Sequence, residues 1–349
     1  MIGVLSVLAS ILVIALIVCL HECGHFLAAR AVGVPVAEFS IGFGPRLASF
    51  KPGETEFSIR LLPLGGYVRF YGGDGEESPL DGVTDKYLNR FPVWKRAVIM
   101  ASGVIANVLS AVIVTLLLLC LIGQPASANV IAQVEDASPA AQAGILPGDV
   151  IESVNGAPTA DGQTLVIAIG EAGLHPIALG VLRDGQRLDM TLTPFYDQEL
   201  ERARVGITLG TTQHRYSFFE AVPLSFNYVR YVVVETVRAL KMMIFGQVET
   251  GDIYGIVGTV SVMSQGVRSG LDTTMRFFIL ISANLAVMNI LPIPGLDGCK
   301  LVFLAIEAIR GKPMDPNKEG IVHLIGFALI ALLAIALTYN DIVRLITGG

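Results

Sequence analysis

The sequence has few charged residues and few cysteines for its length. Only 15% of its 349 residues are Asp, Glu, Lys or Arg, against about a quarter in soluble domains, which excludes an ordinary soluble enzyme. Four cysteines in so long a chain are a poor basis for a disulfide framework. The formal net charge is −6, so no basic excess indicates a nucleic-acid partner.

Hydrophobic residues, in contrast, make up 53% of the chain, and the mean hydropathy is +0.64. Four apolar runs are candidates for membrane-spanning helices, which need about 20 mainly apolar residues. They cover residues 1–20, about 98–122, about 277–291 and 321–337. The first run lacks the basic start of a signal peptide, so we expect it to be retained. The sequence thus predicts a polytopic α-helical membrane protein with four transmembrane helices.

Lysine and arginine are concentrated in the loops that join spans 1 and 2 and spans 3 and 4. Four spans put both loops on one side of the membrane, and the positive-inside rule makes that side the cytosol. The membrane domain then comprises residues 1–122, with a cytosolic β-rich loop at 31–93, and residues 277–349. Both termini and the insert between spans 2 and 3 are predicted to lie outside.

The first part of the insert has short strand-like runs after Asn129, with turns between them. Residues 138–151 read as a short helix ended by Gly144, a Pro-Gly turn and a strand, and an Asn-Gly hairpin turn follows at 155–156. This string resembles a PDZ domain of the kind attached to bacterial proteases, which implies an inserted α+β PDZ domain over residues 123–200. PDZ domains bind extended chains or chain ends by strand addition. A peptide or chain-end ligand is therefore one expectation, and a spacer with an unused groove is the alternative.

The second part of the insert, residues 201–276, contains an apolar stretch at 218–245 that charged residues interrupt. So many charges argue against a membrane span. Two interpretations stay open: an interfacial helix on the outer leaflet, and a helix packed on the core of the insert. The sequence thus predicts interfacial helices and a linker over this part.

The strongest chemical motif directly follows the first span, where His21-Glu22-Cys23-Gly24-His25 matches H-E-x-x-H. Residues i and i+4 share a helix face, so both imidazoles can reach one tetrahedral Zn²⁺. Glu22 is then placed beside a metal-bound water and can take its proton. Cys23 falls on the opposite side and is expected to pack. The alternative is two interfacial histidines, but ionisable groups that continue an apolar span are costly in lipid and indicate function.

A catalytic zinc usually has three protein ligands and one open position. His175 and His214 fall in the insert, on the far side of the membrane from the motif, whereas His323 begins span 4 at the cytosolic face and competes. Asp297 is favoured, because it follows the cytosolic end of span 3 at a depth that matches the motif. Helix breakers at 292–295 let its carboxylate turn inward. The alternative for this stretch is a simple helix terminator.

The H-E-x-x-H motif in a first span, paired with N-x-x-P-x-P-x-L-D-G at 289–298 in a later one, resembles the site-2 protease family of intramembrane zinc metalloproteases. The likeness is closer to the bacterial RseP/RasP group. Further likeness lies at 39–45, at 62–68 and in the PDZ insert between spans 2 and 3. The resemblance covers nearly the whole chain.

The family implies His21, His25 and Asp297 as zinc ligands, with Glu22 as the catalytic acid/base. Val104 stands where the family commonly has proline within its G-x-x-x-N element. An unwound substrate could add to the edge of a strand at 62–70, with an ordinary cytosolic hairpin as the alternative. The residues expected to contact substrate are Asn289, Pro292 and Pro294 in the later motif, Gly65 and Gly66 in the strand, and Asn107 in the G-x-x-x-N element.

The resemblance implies a protease of the bacterial cytoplasmic membrane, with its active site toward the cytosol and its PDZ domain outside. Its expected substrates are the transmembrane segments of single-span proteins, such as anti-sigma factors or signal-peptide remnants, after a first cleavage outside the membrane. One rival is a membrane-anchored metalloprotease that cuts soluble or loop peptides. Another is a non-enzymatic PDZ scaffold, which three metal ligands at matching depth disfavour because structural zinc normally has four.

Overall fold

A computed structural model of the chain describes residues 2–72, 86–198, 202–247 and 255–347. The chain folds as two compact units. The membrane unit comprises Met1–Leu118 and Phe218–Gly349, and the inserted unit comprises Leu119–Ser217.

The membrane unit is mainly helical. Within the described residues, four segments are long and apolar enough to span a membrane, namely Gly3–Ala31, Val93–Ile122, Leu271–Ile290 and Lys318–Arg344. They overlap the four predicted runs, so the predicted fold class, a polytopic helical membrane protein with an inserted α+β domain, is confirmed. Its helices are α1 (Ile2–Ala31), α2 (Val93–Leu117), α5 (Phe218–Ile244), α6 (Ile256–Ser269), α7 (Leu271–Ile290), α8 (Asp297–Arg310) and α9 (Pro316–Thr347).

Helix α1 runs well past the predicted end of the first span at residue 20. No proline or other strong helix breaker interrupts it before Gly33, whose φ of +72° ends the helical path. The H-E-x-x-H motif therefore lies within a continuous helix, and its two histidines are one helical turn apart.

Helix α2 packs against α1, α5, α7 and α8. Gly24 permits the close approach of α1, because an added Cβ would lie 2.5 Å from the carbonyl oxygen of Ser102. On the α7 side, the hydroxyls of Ser110 and Ser282 lie 2.9 Å apart, and both donate to the backbone carbonyl of Asn107. Helix α2 is therefore in contact with several helices of the unit and holds them together.

Two long strands, β1 (Val36–Phe50) and β2 (Glu56–Phe70), lie in the predicted β-rich loop at 31–93. Residues 73–85 of that loop are outside the described residues. Both strands bend. Residues 38–41 pair on one side with 66–69 and on the other with 56–59, and residues 57–60 also pair with 46–50. The segment 66–70 is therefore at the outer edge of a four-segment sheet. The strand predicted at 62–70 is confirmed as part of β2.

Helix α5 belongs to the membrane unit, where it packs on α2 and α7. The Thr236 hydroxyl contacts the Asn284 side-chain oxygen of α7 at 2.5 Å. The interpretation of this stretch as a helix on the core of the insert is therefore wrong. Ala221 and Ser225 of this helix are fully buried. The interfacial location stays a prediction.

The inserted unit is an antiparallel sheet with two helices, α3 (Pro139–Gln142) and α4 (Gly162–Ala172). Its main sheet has the order β10-β3-β4-β6-β7, with β5 beside β4, and β8 and β9 form a separate pair. The strands are β3 (Gln124–Val134), β4 (Val150–Val154), β5 (Ala157–Pro158), β6 (Ile177–Arg183), β7 (Gln186–Leu192), β8 (Phe195–Asp197), β9 (Arg202–Arg204) and β10 (Ile207–His214).

Local sequence explains the turns of this unit. The Ser138 side chain caps α3, and Asp161 caps α4, each by accepting a backbone N–H. Asn155 and Gly156 have φ values of +51° and +82°, which is the predicted hairpin turn. The apolar faces of the sheet and α4 enclose a core that includes Ile151, with no exposed surface.

The predicted boundary of the insert at residue 200 is wrong. Strand β10 pairs antiparallel with β3, from Ile207 against Val134 to His214 against Gln124. The unit therefore extends to Ser217. The strand returns from about 80 residues away in the sequence, and such a non-local pairing leaves no local signal at the boundary.

Candidate active site

The two histidines of the motif face the same point inside the membrane unit. His21 and His25 are each 6% exposed, and their Nε2 atoms lie 3.2 Å apart. Their rings meet edge to face, with an interplanar angle of 88°. The i, i+4 spacing on α1 produces this pairing, as the sequence predicts.

Asp297 reaches the same point from a different part of the chain. It is the first residue of α8, after a tight reversal that follows α7. The reversal needs Gly298, because an added Cβ would collide with the carbonyl oxygens of Ile290 and Leu291. Asp297 Oδ2 consequently lies 3.1 Å from Nε2 of His21 and 3.1 Å from Nε2 of His25.

These three atoms fit a metal ion. Ile99 O lies 2.7 Å from His25 Nδ1; a carbonyl only accepts, so the proton is on Nδ1 and His25 Nε2 has a free lone pair. Asp297 Oδ2 is buried without a hydrogen-bond donor. The His25 lone pair and the Asp297 carboxylate oxygen, 3.1 Å apart, repel one another unless a proton or a metal ion lies between them, and ligands of tetrahedral zinc are separated by about 3.3 Å. Among the described residues, this is the cluster of three His, Cys, Asp or Glu ligands that could hold a metal.

One face of α2 supports both imidazoles. Ile99, Gly103 and Asn107 follow each other at one-turn intervals on that face. A Cβ added at Gly103 would lie 2.5 Å from His25 Nε2 and 2.6 Å from His21 Cε1, so only glycine leaves room for the rings. Sequence reasoning missed Gly103 and the Ile99 carbonyl, although the G-x-x-x-N spacing marks the former.

Glu22 lies next to the cluster and interacts electrostatically with His21, His25 and Asp297. The edge segment of β2 passes close by, since a Cβ added at Gly66 would lie 3.7 Å from Glu22 Cγ. The carboxylate is thus between the three candidate ligands and a strand edge, which suits a proton carrier that acts on an extended peptide.

The other predicted residues have different places. The side-chain nitrogen of Asn289 lies 3.3 Å from His21 Nε2, beside the candidate metal position. Pro292 and Pro294 lie in the reversal between α7 and α8, and Gly65 (φ +128°) precedes the edge segment of β2 beside α1. Their contact with substrate stays a prediction. Asn107 differs: it has no exposed surface, so its predicted substrate contact does not fit the structure.

The competing ligand, His323, does not join the cluster. Its Nδ1 instead accepts the backbone N–H of Gly295 at 3.0 Å, which fixes the reversal before Asp297. Cys23 is also outside the cluster, and its packing role stays a prediction.

An ion pair that the sequence did not predict holds the ligand-bearing elements together. Arg96 of α2 binds Glu307 of α8 through two hydrogen bonds of 3.0 and 2.5 Å, and both side chains are mostly buried. Because α8 begins with Asp297, this bidentate pair restrains the helix that presents the third candidate ligand.

This fold and this cluster define the chain as a membrane metallopeptidase. The model of peptidase family M50 matches residues 9–333, so the chain belongs to that family. RasP of Bacillus subtilis, named a regulator of sigma-W protease, is 29% identical, and the alignment covers 97% of this chain and 99% of that protein. The zinc metalloprotease RasP of Geobacillus kaustophilus is 30% identical over 97% of each chain. The chain is accordingly a zinc metalloprotease.

Two solved structures of Listeria proteins are similar to part of this chain. One is the PDZ domain of an SdrC-like protein of Listeria monocytogenes. The match covers 24% of this chain and 87% of that chain, with 19% identity and a TM-score of 0.22. The other is the PDZ domain of an SdrC-like protein of Listeria innocua. That match covers 26% of this chain and 99% of that chain, with 15% identity and a TM-score of 0.23.

Proposed function

We propose that the chain is an intramembrane protease, in which His21, His25 and Asp297 hold one zinc ion for hydrolysis of peptide bonds inside transmembrane segments. The observation that carries the proposal is the convergence of two Nε2 atoms and one carboxylate oxygen, 3.1–3.2 Å apart. These atoms come from an apolar helix and from the helix that follows span 3. Three ligands leave the open position that a catalytic zinc requires.

Each group at the site has a separate role in the proposed hydrolysis. Zinc, when bound, supplies Lewis-acid chemistry, which polarises a carbonyl and acidifies a water molecule. Glu22 accepts a proton from the water and delivers it to the leaving amine. Asn289, 3.3 Å from His21 Nε2, can hydrogen bond to the substrate backbone. The Ile99 carbonyl keeps the proton of His25 on Nδ1, so that Nε2 stays free for the metal.

A transmembrane substrate must unwind before it can be cut, because a helix hides its carbonyls in i to i−4 hydrogen bonds. The segment 66–70 offers a strand edge beside Glu22. An unwound substrate could pair with this edge and present its backbone to the three ligands. This proposal gives Gly65 and Gly66 their role in substrate binding.

The proposed orientation in the membrane and the proposed substrates rest on the charge of the loops and on the related proteins. Basic loops between spans 1 and 2 and between spans 3 and 4 support an active site toward the cytosol and an inserted unit outside the cytoplasmic membrane. The inserted unit would then admit substrates only after their external domain has been trimmed. The B. subtilis relative is named for sigma-W regulation, which supports anti-sigma factors as substrates, with signal-peptide remnants as a second group.

The proposal can be tested with purified protein and a model single-span substrate in liposomes. Mass spectrometry would map the cleavage positions, with a zinc chelator as control. We expect cuts within the apolar span, loss of cutting with the chelator, and recovery with added zinc. Cuts confined to the flanking soluble segments would indicate a membrane-anchored protease for soluble peptides, and no cutting by the zinc-loaded protein would favour a scaffold.

A further inference from the structure

The buried side chain of Asn107 does not satisfy all of its hydrogen-bonding groups. It has no exposed surface, and its Oδ1 has no hydrogen-bond partner. Its Nδ2 lies 3.3 Å from Nδ1 of His21. A buried amide oxygen without a donor destabilises the folded state, so an asparagine at this position needs an explanation.

The two ends of the His21 ring link this amide to the candidate metal position. In a neutral imidazole one nitrogen carries the proton and the other has the lone pair. An amide N–H that donates to Nδ1 of His21 requires the proton to be on Nε2, where it would block metal binding. An amide oxygen at the same place would accept Nδ1–H and leave Nε2 of His21 free.

A half turn of the amide exchanges the two atoms without moving any other group. In the described orientation the outer Oδ1 gains no hydrogen bond, so the contact with His21 decides which amide atom faces Nδ1. The backbone of Asn107 is held in place, since Ser110 and Ser282 both donate to its carbonyl oxygen at 2.9 and 3.0 Å. The amide can therefore rotate while its Cα stays fixed.

We propose that Asn107 is a positioning residue for His21: its Oδ1 accepts Nδ1–H, sets the tautomer, and orients Nε2 toward the zinc ion. Ile99 does the same for His25 through its backbone carbonyl. The face of α2 thus supports each imidazole ligand with one hydrogen-bond acceptor, and Gly103 between them leaves space for the rings. This inference rests on the proposed zinc site.

Groups that orient metal-bound histidines typically change metal affinity 10–100-fold when they are removed. We therefore compare zinc affinity, by competition with a chromophoric chelator, in the full-length protein in detergent. Asn107→Leu keeps the volume and removes the acceptor, whereas Asn107→Asp keeps oxygen acceptors and removes the N–H donor. Thr115→Val is the matched control, because this buried hydroxyl of α2 bonds only to Ala111 O within its own helix among the described contacts.

We expect Asn107→Leu to bind zinc at least 10-fold more weakly, and Asn107→Asp and Thr115→Val to stay within about 3-fold of the parent. Equal affinity of Asn107→Leu and the parent would overturn the inference, as would weakening of Asn107→Asp as large as that of Asn107→Leu. If Asn107→Leu does not fold, the aspartate variant alone decides. Failure of the proposed function looks different: the parent would then bind zinc no better than a His25→Ala variant.

Discussion

The backbone carbonyl oxygen of Ile99 lies 2.7 Å from Nδ1 of His25. A carbonyl oxygen can only accept, so this contact assigns the proton of His25 to Nδ1 and leaves the lone pair on Nε2. The same lone pair faces Asp297 Oδ2 at 3.1 Å. A main-chain atom of α2 thus prepares a ligand on α1, and no side-chain substitution at residue 99 removes it.

The space above Gly103 gives the first prediction. Gly103→Ala would place a methyl group 2.5 Å from His25 Nε2 and 2.6 Å from His21 Cε1, so one or both rings must move. We expect at least a 100-fold loss of cleavage and substoichiometric zinc, measured by elemental analysis of the purified protein. Gly320→Ala is the control, because nothing lies within 4 Å of its added Cβ. Full zinc and activity in Gly103→Ala would contradict the described ring positions.

Removal of the proposed proton carrier gives the second prediction. Glu22→Gln keeps the size of the side chain but cannot accept a proton from water. We expect cleavage to fall by a factor of 10² to 10⁴, as for loss of a general base, while zinc content stays at the parent value. Retention of activity would remove Glu22 from the mechanism, and loss of both zinc and activity would make it part of the metal site.

Excision of the inserted unit gives the third prediction. Its chain ends are adjacent, since Gln124 pairs with His214 at the ends of β3 and β10. Replacing residues 124–214 with a short Gly-Ser linker should therefore preserve the membrane unit and its zinc. If the unit screens substrates, the shortened protein will cut an untrimmed single-span substrate that the parent rejects. Continued rejection of the untrimmed substrate, with normal cutting of the trimmed one, would argue against the gate.

The acid stability of the inserted unit gives the fourth prediction. Arg183 donates to both carboxylate oxygens of Asp149 at 2.7 Å, and these bonds hold the pKa of Asp149 below its usual value, although burial opposes them. A lowered folded-state pKa means that the stabilisation is complete above about pH 4, the unfolded value. It is then lost as the pH falls through the folded-state pKa.

Asp149→Asn should therefore destabilise the unit by about 2 kcal/mol at pH 7 and reduce its loss of stability between pH 4 and pH 2. Hydrogen exchange of β4 and β6 in the full chain measures both effects. Asp189→Asn is the control, because that side chain is 85% exposed. An unchanged acid profile in Asp149→Asn would show that the Arg183 pair does not stabilise the unit.

The candidate ligands could be predicted from sequence because metal-binding chemistry needs particular side chains at particular spacings. His21 and His25 follow from one helical turn. Asp297 follows from depth matching, as the only acid between Asp272 and Glu307 in the sequence. The structure favours Asp297 over His323, whose Nδ1 accepts the Gly295 N–H. Backbone groups leave no such signal, so the role of the Ile99 carbonyl emerges only from the packed helices.

The inserted unit was predictable where local chemistry determines it and unpredictable where distant segments meet. The Asn155-Gly156 turn and the helix caps follow from short sequence patterns. The extent of the unit does not, because β10 joins β3 across most of its length. The same limit applies to Arg96 and Glu307, which pair across 211 residues.

Zinc-edge X-ray absorption of the purified, active protein tests the coordination directly. We predict two imidazole nitrogens at about 2.0–2.1 Å together with oxygen ligands, and no sulfur at about 2.3 Å. Conversion of Asp297 to alanine should remove one oxygen and leave both imidazoles. A sulfur ligand, or a first shell without two imidazoles, would contradict the account.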